Sequence, residues 1–117
     1  MKLRMHGNSL RLRLNRAEVA RLAETGLVEE VVQFAPEVAF RYALETAADG
    51  DGPRALYADG GVRVLVPAAA AREWASTERV AISGEQATLN ILVEKDFQCL
   101  HGESELDADA FPNPASS

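Results

Sequence analysis

The sequence predicts a mainly β protein of the α+β class, in which a strand-strand-helix-strand-strand unit occurs twice in one chain. Apolar and polar residues alternate along most of the chain, as they do in half-buried strands. Turn-forming glycines separate these runs, and two short helical patterns lie 52 residues apart. Two such units are expected to bury their apolar faces against each other, giving a pseudo-twofold barrel or sandwich with two short helices.

The first unit, residues 1–45, is predicted to contain strands at 2–6, 10–14, 27–34 and 38–44 and a helix at 16–25. The Gly7-Asn8 pair suits a tight hairpin turn because both residues tolerate positive φ. Asn15 and Glu18 have the spacing of a capping box, which predicts the start of the helix. Gly26 is placed to end it. In the second hairpin, the alternation predicts a common face of Val28, Val32 and Phe34 and an inner face of Val38, Phe40, Tyr42 and Leu44.

A linker at 46–53 leads to the second unit, residues 54–94, with predicted strands at 54–58, 62–66, 78–83 and 87–94 and a helix at 68–77. Pro67 is expected in the first helical turn, where its missing N–H costs nothing. The last hairpin is expected to turn at Gly84-Glu85-Gln86, with Val80 facing inward. Five pairs carry the 52-residue offset: Leu3 with Ala55, Leu10 with Val62, Asn15 with Pro67, Leu22 with Trp74, and Val28 with Val80.

Charge is distributed unevenly along the chain, whose net charge is −6. The net negative charge argues against a generic nucleic-acid binder, since phosphate contacts need clustered cations. The amino-terminal end is nevertheless basic, and pairing of its first two strands is expected to gather cations on one face. The candidate binding residues are Lys2, Arg4, Arg11, Arg13 and Arg16.

Residues 1–102 are predicted to form one domain, and residues 103–117 an acidic tail whose polar composition predicts a flexible segment. The alternative is a docking peptide, in which Phe111 is the anchor and Asp107 and Asp109 direct it to a basic site. The protein's own face around Arg11 and Arg13 is one such site.

Each half resembles the swapped-hairpin barrels of the AbrB and MazE-like transition regulators and antitoxins. The resemblance is carried by Gly7-Asn8-Ser9-Leu10 through Leu14, followed by a capped helix and a β-hairpin. It implies DNA binding through basic residues of the hairpin face, and those residues would correspond to Arg4, Arg11 and Arg13. The sequence departs from the pattern because Asn15 stands where a proline is usual, and the second half has only Arg63 on the matching strand.

The whole chain resembles a family of uncharacterised small bacterial proteins, on three motifs. These motifs are Met-Lys-Leu-Arg-x-x-Gly-Asn-Ser at the start, Glu-Lys-Asp-Phe-x-Cys-Leu late in the chain, and a closing Phe-Pro-Asn-Pro. The resemblance implies no activity.

A metal or thiol site is the remaining alternative. Cys99 and His101 supply two soft ligands, and Asp96 or His6 could add a third, whereas structural zinc sites use four. Packing of Cys99 in the core is the favoured interpretation. With a single cysteine and no apolar leader or membrane span, the sequence predicts a cytoplasmic, non-catalytic binding or regulatory module without a cofactor. Its partner is a protein or another macromolecule of unknown identity.

Overall fold

The computed structural model describes residues 1–97, which form eight strands and two helices. The elements are β1 (Lys2–His6), β2 (Ser9–Leu14), α1 (Arg16–Thr25), β3 (Leu27–Ala35), β4 (Val38–Ala47), β5 (Arg54–Ala58), β6 (Gly61–Pro67), α2 (Ala68–Ser76), β7 (Ala81–Gln86) and β8 (Leu89–Lys95). The order ββαββ therefore occurs twice in the described part of the chain. This confirms the predicted fold class.

The strands form two four-stranded sheets, and each sheet takes one hairpin from each half of the chain. The first sheet has the order β1-β2-β8-β7, and the second sheet has the order β3-β4-β6-β5. The hairpins are antiparallel, whereas the central pairs, β2 with β8 and β4 with β6, are parallel. Because the hairpins are exchanged, neither half can complete a sheet without the other.

The inner faces of both sheets and one side of each helix share a single core. The largest fully buried side chains are Trp74, Leu12, Leu14, Leu22, Leu44, Ile91, Val28, Val64, Val66 and Val93. Burying one Leu, Ile or Val stabilises the fold by about 1.5–3 kcal/mol. Trp74 Nε1–H donates to the carbonyl of Val80 at 2.9 Å, so the indole keeps a hydrogen bond inside the core.

The last hairpin turns later in the chain than predicted. β7 runs through Gly84 to Gln86, and the chain reverses at Ala87 and Thr88, with Ala87 at a φ of 53°. Gly84 lies within β7, and Pro53 packs closely against it: a Cβ at Gly84 would lie 2.9 Å from Pro53 Cδ. Val80 precedes β7 and is exposed, so its predicted inward orientation was wrong.

Two element boundaries also differ from the prediction. β4 continues to Ala47, and the Thr46 N–H donates to the Gly26 carbonyl at 2.9 Å. The first two residues of the expected linker at 46–53 therefore belong to the second sheet. Pro67 ends β6, and α2 begins one residue later.

The β3–β4 hairpin is longer than its counterpart β7–β8. Its paired core residues Val28 and Leu44 are 16 positions apart, whereas Ile82 and Val93 are 11 apart. The pairing of β4 with β6 begins only at Arg41, so the hairpin tip extends past β6. Three tip residues that were predicted to face inward are exposed for this reason: Val32, Phe34 and Val38.

Candidate binding surface

The first hairpin gathers four cations on the outer side of the first sheet. Lys2 pairs with Arg13 and Arg4 pairs with Arg11 in the β1–β2 register, and inward-facing leucines alternate with the two arginines of β2. We call these four residues the cationic face: Lys2, Arg4, Arg11 and Arg13. The alternation of side chains along two paired strands is sufficient to produce this arrangement, because every second side chain of a strand points to the same face of the sheet.

Two carboxylates of the carboxyl-terminal part of the domain neutralise a portion of the cationic face. Arg13 Nε lies 2.6 Å from Glu94 Oε1, and Arg11 Nε lies 3.8 Å from the same oxygen. Lys2 Nζ lies 3.0 Å from Asp96 Oδ2. Arg11 and Arg13 are each 37% exposed, so both guanidinium groups still reach solvent. The face is therefore a mixed surface with a cationic excess rather than a field of unpaired cations.

Arg4 is the cation of the face that is open to a partner. Its side chain is exposed on the edge strand β1, and no ion pair joins it to another residue in the range 1–97. Arg16 lies elsewhere: it begins α1 and lines a groove between the helices. The expected set of five basic residues is thus divided between two surfaces.

The amino group of Met1 closes the first sheet against the second. It donates to Glu18 Oε2, and to Glu30 Oε2 at 2.8 Å, while the Tyr42 hydroxyl donates to the Met1 carbonyl at 2.9 Å. Glu18 also completes the predicted capping box, since its Oε1 accepts from the Asn15 N–H at 2.9 Å and its own N–H donates to Asn15 Oδ1 at 2.9 Å. One carboxylate therefore starts α1 and holds β1 in place.

Burial and hydrogen bonding act in opposite directions on this cluster. Desolvation by itself would lower the pKa of the Met1 amino group, but the hydrogen bonds that it donates to Glu18 and Glu30 outweigh this effect and raise that pKa above 8.0. Desolvation would raise the pKa of Glu18, yet hydrogen bonds from the amino group and from the Asn15 backbone lower it below 4.5. Both groups are charged near neutral pH and stabilise each other.

A groove of about 960 Å³ lies between the two helices and the end of β8. Its lining is largely apolar or small, including Val19, Ala20 and Ala23 of α1 and Ala75 of α2, and Phe97 lies at its edge. Arg16 and Arg72 bring positive charge from opposite helices. The alanines leave space that larger side chains would fill, which accounts for the opening.

The two metal-site candidates within residues 1–97, Asp96 and His6, do not lie close together. Asp96 lies at the Lys2 end of the first sheet, whereas His6 is at the other end of β1, four residues or about 13 Å away along the strand. No cluster of three or more His, Cys, Asp or Glu side chains within residues 1–97 is arranged to hold a metal ion. Five candidates lie outside that range: Cys99, His101, Asp107, Asp109 and Phe111.

Sequence reasoning missed Glu94 and Asp96 as parts of the cationic face. Their position follows from the parallel pairing of β2 with β8, which puts Arg13 beside Glu94. Nothing in the local spacing signals that pairing, because 81 positions separate Arg13 from Glu94 along the chain. The opposite charges of the two chain ends were the only available sign.

The chain was compared with known proteins. The model of a family of unknown function (DUF7009) matches residues 1–115. No curated protein and no solved structure matched the chain. Within residues 1–97, neither helix has the length and apolar character needed to cross a membrane.

Proposed function

We propose that this chain, which belongs to the family of unknown function whose model matches residues 1–115, is a cytoplasmic, non-catalytic binding module. Its partner would be an acidic protein segment. The contact surface is the cationic face, with the acidic carboxyl-terminal residues as a second binding element. The observation that carries the proposal is the convergence of Lys2, Arg4, Arg11 and Arg13 on one outer surface.

The ion pairs within the face favour a partner with only a few negative charges over a nucleic acid. Four cations less the carboxylates of Glu94 and Asp96 leave a local excess of about two charges. DNA-binding surfaces commonly neutralise six to ten phosphates, by an order-of-magnitude count. A short acidic peptide can be matched by two or three cations, of which Arg4 is already exposed.

DNA binding in the manner of the swapped-hairpin regulators is the second candidate. The observation that supports this candidate is that each sheet takes one hairpin from each half of the chain, an arrangement expected of a swapped-hairpin unit. The second sheet argues against a twofold DNA reader: Arg63 on β6 is paired with Glu45 at 2.6 Å, and the neighbouring exposed side chains include Leu56.

The test measures fluorescence anisotropy of a labelled oligoglutamate peptide and of a labelled duplex DNA, each titrated with the full chain at low salt. The test variant is the double change Lys2→Ala with Arg11→Ala. The control variant is Arg54→Ala with Arg63→Ala, which alters the positions that correspond to them on β5 and β6, 52 residues later. We expect the test variant to weaken peptide binding by about tenfold, or about 1.4 kcal/mol, and the control variant to leave it within about twofold.

Three results would contradict the proposal. Equal weakening by both variants would show that net charge, rather than the cationic face, governs binding. Failure of the full chain to bind the peptide at low salt would reject an acidic partner. Tighter and more steeply salt-dependent binding of the duplex than of the peptide would replace the proposal with DNA recognition.

A further inference from the structure

The interhelix groove is open, and the chain leaves the described part of the structure beside it. The groove is lined by α1, α2 and the last described residues of the chain, Lys95, Asp96 and Phe97. Residues 98–117 therefore start at the groove itself. An extended chain spans about 3.3 Å per residue, so Phe111 can lie up to about 46 Å from Phe97. The ten residues of α1 are expected to be about 15 Å long. The segment is therefore long enough to run along the whole groove.

The groove has cations without partners within residues 1–97. Arg16 and Arg72 are exposed and lie on opposite helices, and neither forms an ion pair with another residue of that range. The third cation, Lys95, is occupied, because its Nζ donates to the Thr77 carbonyl at 2.8 Å. Two carboxylates also line the groove, but Asp96 is paired with Lys2, which leaves Glu78 as the opposing charge.

Residues 98–117 have the complementary chemistry. They contain four carboxylates and neither Lys nor Arg: Glu103, Glu105, Asp107 and Asp109. Three large apolar side chains are interspersed with these charges: Leu100, Leu106 and Phe111. The family model extends to residue 115, so nearly all of this segment belongs to the sequence that the family model describes.

We infer that residues 98–117 dock in cis along the groove between α1 and α2. Leu106 and Phe111 lie against the alanines of the groove, and the neighbouring carboxylates pair with Arg16 and Arg72. Covalent attachment gives the segment a millimolar effective concentration, so a small, weakly binding contact is sufficient to fill the site. The inference concerns a different surface from the cationic face, and it is tested separately from the binding of an acidic peptide there.

Paramagnetic relaxation in the full chain tests the inference. Cys99→Ser removes the single native thiol, Ala110→Cys provides a site for a nitroxide next to Phe111, and amide signals are recorded on ¹⁵N-labelled protein. We expect broadening of the Ala20, Ala23 and Ala75 amides, with the Arg4 and Arg11 amides unaffected. High salt should reduce the broadening, because the ion pairs are solvent-exposed.

Charge reversal supplies the matched variants. Arg16→Glu with Arg72→Glu is expected to lower the ratio of docked to free segment by about tenfold, or about 1.4 kcal/mol. Glutamate is tolerated at position 16 because a negative charge suits the first turn of a helix. Arg21→Glu with Arg54→Glu changes the net charge equally at exposed positions outside the groove and should leave the broadening unchanged.

Several outcomes would overturn the inference. Broadening of Arg4 and Arg11 in place of the groove amides would assign the segment to the cationic face. Uniform broadening, or none, would mean that the segment has no site on the domain. Broadening that survives the reversal of Arg16 and Arg72 would reject their pairing with the segment. In a mixed sample, one copy carries the nitroxide and a separate copy carries ¹⁵N. Broadening of the groove amides of the ¹⁵N copy there would mean that the occupant comes from a second chain.

Discussion

Arg13 Nε and Glu94 Oε1 lie 2.6 Å apart and join β2 to β8, the last strand within residues 1–97. The contact crosses the parallel β2–β8 pairing through which the two halves share the first sheet. It has two consequences. It contributes to closing that sheet, and it places a carboxylate among the cations that are proposed to bind an acidic partner.

Removing the charge of Glu94 should strengthen acidic binding. In Glu94→Gln, Arg11 and Arg13 lose an intramolecular competitor, so affinity for the oligoglutamate peptide is expected to rise by about two- to fivefold, equivalent to about 0.4 to 1 kcal/mol. Glu45→Gln is the matched control, because Glu45 pairs with Arg63 at 2.6 Å in the corresponding place on the second sheet. Lower affinity in Glu94→Gln would mean that the ion pair organises the face instead of competing for it.

Glu18→Gln should separate the two roles of this residue. Glutamine can still accept from the Asn15 N–H and complete the capping box, but it loses the charge that holds the Met1 amino group. We expect the free energy of unfolding at pH 7 to fall by about 1.5–3 kcal/mol, the usual range for hydrogen bonds to charged groups. Chemical denaturation measures this change. An unchanged midpoint and slope would show that Glu30 alone is sufficient to hold the amino group.

The same cluster predicts how stability depends on pH. The pKa of Glu18 is lower in the folded protein than its ordinary value of 4.5, so its stabilisation is present above pH 4.5 and disappears as pH falls through the folded value. The pKa of the Met1 amino group is raised from 8.0, so its stabilisation is present below pH 8.0 and disappears as pH rises through the folded value. Stability should therefore be greatest between these limits, and Glu18→Gln should weaken both slopes. Slopes equal to those of the unaltered protein would contradict the assignment.

Gly61→Ala should destabilise the second sheet. A Cβ at Gly61 would lie 2.3 Å from the Arg41 carbonyl oxygen, so the backbones of β6 and β4 would have to separate. Overpacking of this kind costs about 1–3 kcal/mol, and thermal or denaturant unfolding would detect it. Gly52→Ala is the control because a Cβ there meets no atom within 4 Å. Equal stability of the two variants would mean that the strands yield at little cost.

Local features of the structure were predictable where a short stretch of chain decides them. The capping box of Asn15 and Glu18 and the glycine end of α1 at Gly26 are formed by residues close in sequence. The alternation of Arg11 and Arg13 with inward leucines is also local, and the order of elements followed from such patterns. The turn of the last hairpin was missed because its glycine, Gly84, lies inside β7 against Pro53, a contact between residues 31 positions apart in the sequence.

By itself, the sequence determined the ten elements within residues 1–97, the class of the fold and the side of the first hairpin that carries its cations. Hydrophobic period, helix caps and turn residues each act over a few positions, so the sequence alone reveals them. Tertiary structure alone decided which hairpins share a sheet, that Glu94 and Asp96 meet the cationic face, and that a groove opens between the helices. These outcomes depend on pairings between distant strands. Strands of similar apolar pattern have several partners of comparable energy, and the choice among them is made by packing of the whole core.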